Sequence, residues 1–231
     1  IRRHHVPHFG LALGFVAFCC LASVVYIIND ICDAPRDRLH PTKKSRPIAS
    51  GAISPMQAAA EAAVLLAVML LLSFWCNFPL ESYLCLAIYF AVNIGYSLGL
   101  KNVPILDIAL LVSGFLLRVL FGAAVTGIAI SDWLYLTVIA MSFYLGLGKR
   151  RGELARQKGD TRKVLKYYTY DYLDKYMQIS LGLSITFYAL WSMGAANGMV
   201  WTVPLVICLC MKYSLTAWTI PTLTLSVATA A

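Results

Sequence analysis

Long apolar segments alternate with short polar ones along nearly the whole chain. A helix needs about 20 apolar residues to cross the hydrocarbon core of a bilayer. This pattern predicts membrane-spanning helices at 9–29, 56–76, 81–99, 104–127, 132–148, 176–194, 199–215 and, weakly, 216–231. Because backbone polar groups in lipid must be satisfied within the protein, we expect an all-α, polytopic transmembrane helix bundle with seven to eight helices.

The composition agrees with this pattern. Of the 231 residues, 60% are hydrophobic and 13% are charged, whereas about a quarter of the residues are charged in a soluble domain. The sequence shows no repeat of fixed period, so we expect a single domain over residues 1–231. The seven cysteines form no CxxC pair, which argues against both a zinc site and a disulfide framework.

The formal net charge of +8 raises the question of a nucleic-acid partner. The basic residues lie in short loops between apolar segments, which fits membrane topology and anionic ligands better and predicts no nucleic-acid binding. Sixteen of the 19 Lys and Arg residues fall on one side of the membrane if that side receives 30–55, 100–103, 149–175 and Lys212. We therefore expect a multi-pass protein whose charged loops face the cytoplasm.

A cluster of oxygen-bearing side chains lies where the first predicted helix leaves the membrane. Asp30, Asp33 and Asp37 are spaced i, i+3 and i+7, and Asn29 stands four residues before Asp33, so all four share one helical face. Three like charges on one face repel unless a cation neutralises them. Mg²⁺ prefers oxygen ligands and commonly joins carboxylates to substrate phosphates. This acidic stripe therefore predicts a magnesium–diphosphate site in which the three aspartates are catalytic.

Basic residues follow the acidic stripe closely. Lys43, Lys44 and Arg46 come within ten residues of its last member. Membrane topology alone would place some Lys and Arg there. A polyanion bound at a metal site nevertheless also needs cationic side chains around it. We therefore assign these three residues to substrate binding.

Three residues further along the chain are also candidates for binding phosphate. Tyr96 and Lys101 lie near the predicted inner surface, although Lys101 would also satisfy topology. Arg118 lies inside the predicted span 104–127. A charge at membrane depth usually faces a cavity or a partner helix, so Arg118 suits either a substrate phosphate or a structural acid.

The motif NDxxDxxxD at 29–37, followed by HPTKKSRPIASG at 40–51, resembles the UbiA superfamily of intramembrane prenyltransferases. The resemblance implies a fold of nine helices whose early Asp-rich motif binds Mg²⁺ and a diphosphate. It therefore also implies one more helix before Ile1. Typical members of the family carry a second Asp-rich motif in a later cytoplasmic loop.

In this chain the later loop begins GKRRGEL at 148–154, with one acid among three bases. This segment and 96–107 resemble the decaprenyl-phosphate phosphoribosyltransferase branch of the family, over about residues 10–215. The resemblance implies a pentosyltransferase of the bacterial inner membrane, active towards the cytoplasm and serving cell-wall biosynthesis. Its substrates would be phosphoribosyl diphosphate and a polyprenyl (decaprenyl) phosphate. Lys149, Arg150 and Glu153 are then candidates for substrate binding, the first two at the distal phosphate.

Some points stay open at the level of sequence. The branch usually ends in a short acidic segment, which this chain lacks, so we expect its native C-terminal tail to be missing.

One alternative function is UbiA-type transfer of a polyprenyl group to an aromatic acceptor, which predicts a second aspartate cluster. A membrane transporter is the other alternative, although transporter sites tend to lie near the midplane. The polyprenyl length and the presence of a homo-oligomer are not determined by the sequence.

Overall fold

The computed structural model of the protein describes residues 8–40, 43–156, 163–195 and 198–229. It divides into two compact units, Ile1–Ala129 and Ile130–Ala231. The expected helix before Ile1 and the expected missing tail concern sequence outside the described residues. Both stay expectations, as does the single domain.

The described residues fold into α-helices joined by short turns. The helices are α1 His8–Asp37, α2 Pro47–Ser50, α3 Pro55–Trp75, α4 Leu80–Leu98, α5 Leu106–Thr126, α6 Asp132–Arg156, α7 Tyr170–Gly194 and α8 Val203–Thr229. Among these residues, four stretches are long and apolar enough to cross a membrane, namely Gly10–Asp37, Pro55–Trp75, Leu106–Thr126 and Met199–Thr216. The predicted all-α, polytopic transmembrane fold is confirmed.

The seven long helices correspond to the seven well-defined apolar segments of the sequence. Three of them extend into polar sequence beyond the apolar residues that predicted them, and one of these, α7, begins at Tyr170 instead of at residue 176. Helix α1 continues through the acidic stripe to Asp37, and α6 continues through residues 148–154, the basic segment, to Arg156. The weak eighth segment, 216–231, does not form a helix of its own, because residues 216–229 continue α8 without interruption.

In the first unit, aromatic side chains pack α1 against α4 and α5. The ring of Phe18 lies 4.8 Å from that of Tyr89 and 5.2 Å from that of Phe121, measured between centroids. All three side chains are buried. Tilted aromatic pairs of this kind add about 0.5–1.5 kcal/mol each beyond their burial of apolar area. This core fixes the middle of α1, and thereby the position of its polar C-terminal end.

The loop after α1 folds back against the same helix. Ile48 of α2 and Ala58 of α3 pack against Ala34 of α1 in a small buried cluster. Helix α3 begins at a capping box, in which the Ser54 hydroxyl accepts from the Gln57 N–H and the Gln57 side chain accepts from the Ser54 N–H. Caps of this kind satisfy backbone donors that the first helical turn leaves free. The loop is therefore held beside the acidic stripe at both of its ends.

In the second unit, α6, α7 and α8 pack on one another. The Tyr144 hydroxyl lies 2.5 Å from the Ser214 hydroxyl, which links α6 to α8. Gly148 permits the close approach: a Cβ there would lie 3.3 Å from Met177 of α7 and 3.3 Å from the Tyr213 hydroxyl of α8. The glycine that begins the basic segment therefore allows α6 to pack closely against α7 and α8.

Candidate active site

The four residues of the acidic stripe all lie on α1, as their spacing predicts. The stripe nevertheless divides into two pairs of residues. Asp30 and Asp37 bind one cationic side chain, whereas Asn29 and Asp33 bind another. The two cations come from different parts of the chain, so neighbouring members of the stripe have different partners.

Arg46 bridges Asp30 and Asp37. Its Nη1 atom donates to Asp30 Oδ1 at 2.8 Å and to Asp37 Oδ2 at 2.9 Å. The side chains differ in exposure, at 38% for Arg46, 33% for Asp30 and 5% for Asp37. Pro47 favours extended backbone at the residue before it, and Arg46 has φ −61° and ψ 143°. Together with the packing of Ile48 on α1, this conformation directs Arg46 to the stripe.

Lys101 holds the other pair. Its Nζ atom donates to Asp33 Oδ1 at 2.6 Å and to Asn29 Oδ1 at 3.2 Å. Ser97 of α4 donates to the same Asn29 oxygen at 3.3 Å, a contact that the sequence did not suggest. The Tyr96 ring centroid lies 5.9 Å from Nζ, a cation–π contact. Lys101 is buried, with a side-chain exposure of 6%.

The turn that carries Lys101 has a residue with positive φ near each end. Gly99 has φ 143°, and Ile105 has φ 69° with ψ −47°. Glycine accepts such angles readily, but a β-branched residue at positive φ costs about 1–3 kcal/mol and persists only when its surroundings fix it. The turn packs closely on α4, since a Cβ on Gly95 would lie 3.0 Å from Leu100. Lys101 therefore occupies a preset position.

Lys43 and Lys44 lie beside this cluster in the turn Lys43–Ser45, and both are exposed. The Lys43 N–H donates to His40 Nδ1 at 3.3 Å. Neither lysine makes an ion pair with the stripe among the contacts described here, in contrast to Arg46. Their ammonium groups therefore face solvent, where an incoming anion could meet them.

Arg118 lies in a different part of the first unit. Its guanidinium donates to the Tyr89 hydroxyl at 3.1 Å and lies 5.6–5.9 Å from the rings of Phe18, Tyr89 and Phe115. Phe18 precedes Asp30 by 12 residues, about 18 Å along a helix. The structure therefore does not bring Arg118 to the acidic stripe, and its predicted contact with substrate stays a prediction.

The basic segment of α6 has its own arrangement in the second unit. Lys149 is exposed, whereas Arg150 is fully buried and donates to Glu153 at 2.7 Å. Arg151 donates to Asp174 of α7 at 2.5 Å and lies 5.5 Å from the Tyr170 ring. Of the three predicted residues here, Lys149 is the one that solvent reaches most readily. Substrate contacts by Arg150 and Glu153 stay predictions.

The acidic stripe fits a hard divalent cation in its chemistry. Among the described residues, no group of three His, Cys, Asp or Glu side chains is arranged to hold a metal ion. The oxygens are instead paired, Asp30 with Asp37 and Asn29 with Asp33, and each pair already surrounds one cationic nitrogen. A pair of oxygens suits Mg²⁺, which commonly completes its shell with substrate phosphates and water.

The helical fold and the paired acidic stripe indicate an intramembrane protein with a candidate cation site at the end of α1. The model of the UbiA prenyltransferase family matches residues 2–228, and the chain belongs to that family. A UbiA homolog from Archaeoglobus fulgidus, solved bound to DMAPP and Mg²⁺, has a TM-score of 0.77 and 17% sequence identity, covering 94% of this chain and 77% of its own. At that identity the likeness shows the shared fold.

Curated relatives are more similar in sequence. The decaprenyl-phosphate phosphoribosyltransferase of Mycolicibacterium smegmatis is 37% identical over 185 residues, which is 79% of this chain and 58% of the relative. The proteins of the same name from Corynebacterium glutamicum and Mycobacterium tuberculosis are 37% and 35% identical, over 78% and 79% of this chain. The chain spans 55–61% of the length of these three relatives.

Proposed function

We propose that the protein transfers 5-phosphoribose from phosphoribosyl diphosphate to a polyprenyl phosphate, releasing diphosphate in a Mg²⁺-dependent reaction. The observation that carries the proposal is the acidic stripe, whose two oxygen pairs each surround a cationic nitrogen. The chain's 35–37% identity to relatives named decaprenyl-phosphate phosphoribosyltransferase supports this choice of substrates.

The first part of the reaction is holding the donor's diphosphate. Asp30 and Asp37 are the carboxylates that would hold magnesium, and Asp33 would add its second carboxylate oxygen, because its Oδ1 atom accepts from Lys101. Asn29, whose side-chain oxygen already accepts from Lys101 and Ser97, would support the site from beside the metal. When bound, the metal neutralises charge on the leaving diphosphate. Lys101 keeps Asn29 and Asp33 in position through its two hydrogen bonds. The exposed ammonium groups of Lys43 and Lys44 supply further positive charge for phosphate oxygens.

The second part is transfer of the sugar. The bond between C1 of ribose and the diphosphate oxygen breaks, and a bond forms between C1 and an oxygen of the lipid phosphate. A lipid phosphate is anionic at neutral pH, so the chain need not supply a strong general base. Positive charge that develops on the sugar is stabilised by nearby carboxylates of the acidic stripe.

Two further assignments belong to the proposal. Lys149, exposed on α6, is our candidate for contact with the 5-phosphate of the donor. The charged loops, and with them the acidic stripe, face the cytoplasm of a bacterial inner membrane, because Lys and Arg residues concentrate on the cytoplasmic side of short loops.

The experiment that tests the proposal uses the protein in membranes with radiolabelled phosphoribosyl diphosphate and polyprenyl phosphate. We expect label in the lipid fraction when Mg²⁺ is present and none when it is chelated. Absence of labelled lipid with Mg²⁺ present would reject the proposal. Membranes lacking the protein provide the background.

The same membranes distinguish the other chemistry of the family. Prenyl transfer would need a labelled prenyl diphosphate and an aromatic acceptor, and we expect no product from that pair. The basic segment of α6 supports this expectation, since residues 149–151 are three bases where an aspartate cluster would be needed. Membership of a transferase family also favours an enzyme over a transporter.

A further inference from the structure

The two cations of the acidic stripe differ in how firmly they are held. Lys101 is 6% exposed and lies on a turn whose backbone is fixed in unusual angles at Gly99 and Ile105. Arg46 is 38% exposed and directly follows the exposed turn Lys43–Ser45, with its Nη1 atom placed between Asp30 and Asp37. Lys101 is thus enclosed in the site, whereas solvent and incoming ligands can reach Arg46.

The position of Arg46 matters because it occupies the space between two carboxylates. One nitrogen atom lies within 2.9 Å of both Asp30 and Asp37. A divalent cation binding to this pair would meet Arg46 at close range, and two cations so near each other repel strongly. The pair can therefore accept a metal only if Arg46 moves away and finds another anion.

We propose that Arg46 is an exchangeable counterion that makes binding of metal and diphosphate mutually dependent. Without a diphosphate, Arg46 neutralises Asp30 and Asp37, so the affinity of the site for a divalent cation is low. With a diphosphate present, the guanidinium moves to the phosphate oxygens, which it can bind in bidentate fashion. The carboxylates are then free to hold the metal. The inference rests on the proposed function for the diphosphate as ligand.

The arrangement has a consequence for the order of events. When one ligand changes the affinity of a protein for a second ligand by some factor, the second ligand must change the affinity for the first by the same factor. Pyrophosphate should therefore raise metal affinity, and metal should raise pyrophosphate affinity equally. Arg46 therefore has two roles in this scheme, as counterion of the carboxylates without diphosphate and as direct ligand of the phosphate oxygens with it.

The test measures Mn²⁺ binding to the purified protein in detergent by electron paramagnetic resonance, with and without inorganic pyrophosphate. Without pyrophosphate, Arg46→Gln should bind Mn²⁺ more tightly than the wild type, on the order of tenfold, because two carboxylates lose their counterion. With pyrophosphate, the enhancement of Mn²⁺ affinity should fall by a similar factor in the variant.

Two further variants separate this role from a structural one. Arg36→Gln removes an equal charge from an exposed residue next to Asp37 in sequence, and it should change Mn²⁺ affinity by less than about threefold. Arg46→Lys keeps a positive charge beside the two carboxylates, so its Mn²⁺ affinity without pyrophosphate should stay closer to the wild type than that of Arg46→Gln.

Unchanged or weaker Mn²⁺ binding by Arg46→Gln without pyrophosphate would overturn the inference, as would an increase equally large in Arg36→Gln. The readout requires no turnover. If the Mn²⁺ results follow the expectation while wild-type membranes label no lipid, the proposed function fails and the counterion role stands.

Discussion

The acidic stripe on α1 and the basic segment on α6 arrange their charges in different ways. The stripe is neutralised by residues that lie 9 to 72 positions away in the chain, on the following loop and on the turn before α5. Arg150 of the basic segment pairs with Glu153, three positions further along the same helix. The ion pairs of the stripe thus join distant segments, whereas the Arg150–Glu153 pair lies within one helix, and the spacing of the charges alone does not tell the two cases apart.

The largest expected effect comes from breaking the stripe itself. Asp33→Asn removes a carboxylate charge while keeping the size of the side chain. Loss of one such electrostatic element typically costs a hundredfold or more, so we expect phosphoribosyl transfer to fall at least about a hundredfold. Asp171→Asn makes the same chemical change at an exposed residue of α7 and should leave transfer unchanged. Similar loss in both variants would remove the special role of the stripe.

In the basic segment we expect two neighbouring residues to differ in their effects. Substitution of Arg150 should lower stability, whereas substitution of Lys149 should weaken substrate binding. Arg150→Ala removes a fully buried guanidinium together with its ion pair to Glu153, and we expect a loss of about 2 kcal/mol or more in the free energy of unfolding. Lys149→Ala changes an exposed side chain and should alter stability by less than about 0.5 kcal/mol.

The Lys149 variant should instead raise the KM for phosphoribosyl diphosphate, which is measured in the labelled-lipid assay. Equal stability losses in Lys149→Ala and Arg150→Ala, measured by thermal unfolding in detergent, would show that burial does not separate the two residues. An unchanged donor KM in Lys149→Ala would move the 5-phosphate contact elsewhere.

The ion pair between Lys101 and Asp33 tests whether the acidic stripe also contributes to stability. Lys101→Met removes the charge that holds Asn29 and Asp33, and we expect a loss of about 1–3 kcal/mol because Asp33 is partly buried. The double variant with Asp33→Asn should lose less than the sum of the two single losses, since the residues interact directly. Lys175→Met, at an exposed position of α7, is the matched control. Strict additivity would mean that the ion pair contributes nothing.

The smallest expected effect lies in the strained turn. Ile105→Gly relieves a positive φ at a side chain that is 61% exposed, so little buried apolar area is lost. We expect a gain of about 1 kcal/mol in the free energy of unfolding. Val103→Gly, at a residue with φ −93°, should instead lose about 0.5–1 kcal/mol. A loss in both variants would show that Ile105 is not strained.

The sequence predicted the fold well because apolar length is a strong local signal. All seven well-defined apolar segments became long helices, and the spacing of Asn29, Asp30, Asp33 and Asp37 correctly placed them on one helix. Helix ends were less predictable, since α1 and α6 continue into polar sequence that hydropathy alone assigns to loops.

The partners of the acidic stripe could not be predicted in the same way. Ser97 and Lys101 reach Asn29 through the packing of α4 on α1, and no local pattern relates residues 68 or more positions apart. The burial of Arg150 could not be predicted from the sequence either, because Lys149, Arg150 and Arg151 are three consecutive basic residues that the sequence does not distinguish. Their side chains differ in exposure according to which side of α6 each one occupies.

The most direct test of the account is the binding of phosphoribosyl diphosphate to the purified protein, measured by isothermal titration with and without Mg²⁺. We expect binding by the wild type only when Mg²⁺ is present, and loss of that binding in Asp33→Asn but not in Asp171→Asn. Binding that is independent of Mg²⁺, or that survives in Asp33→Asn, would contradict the assignment of the acidic stripe as the metal–diphosphate site.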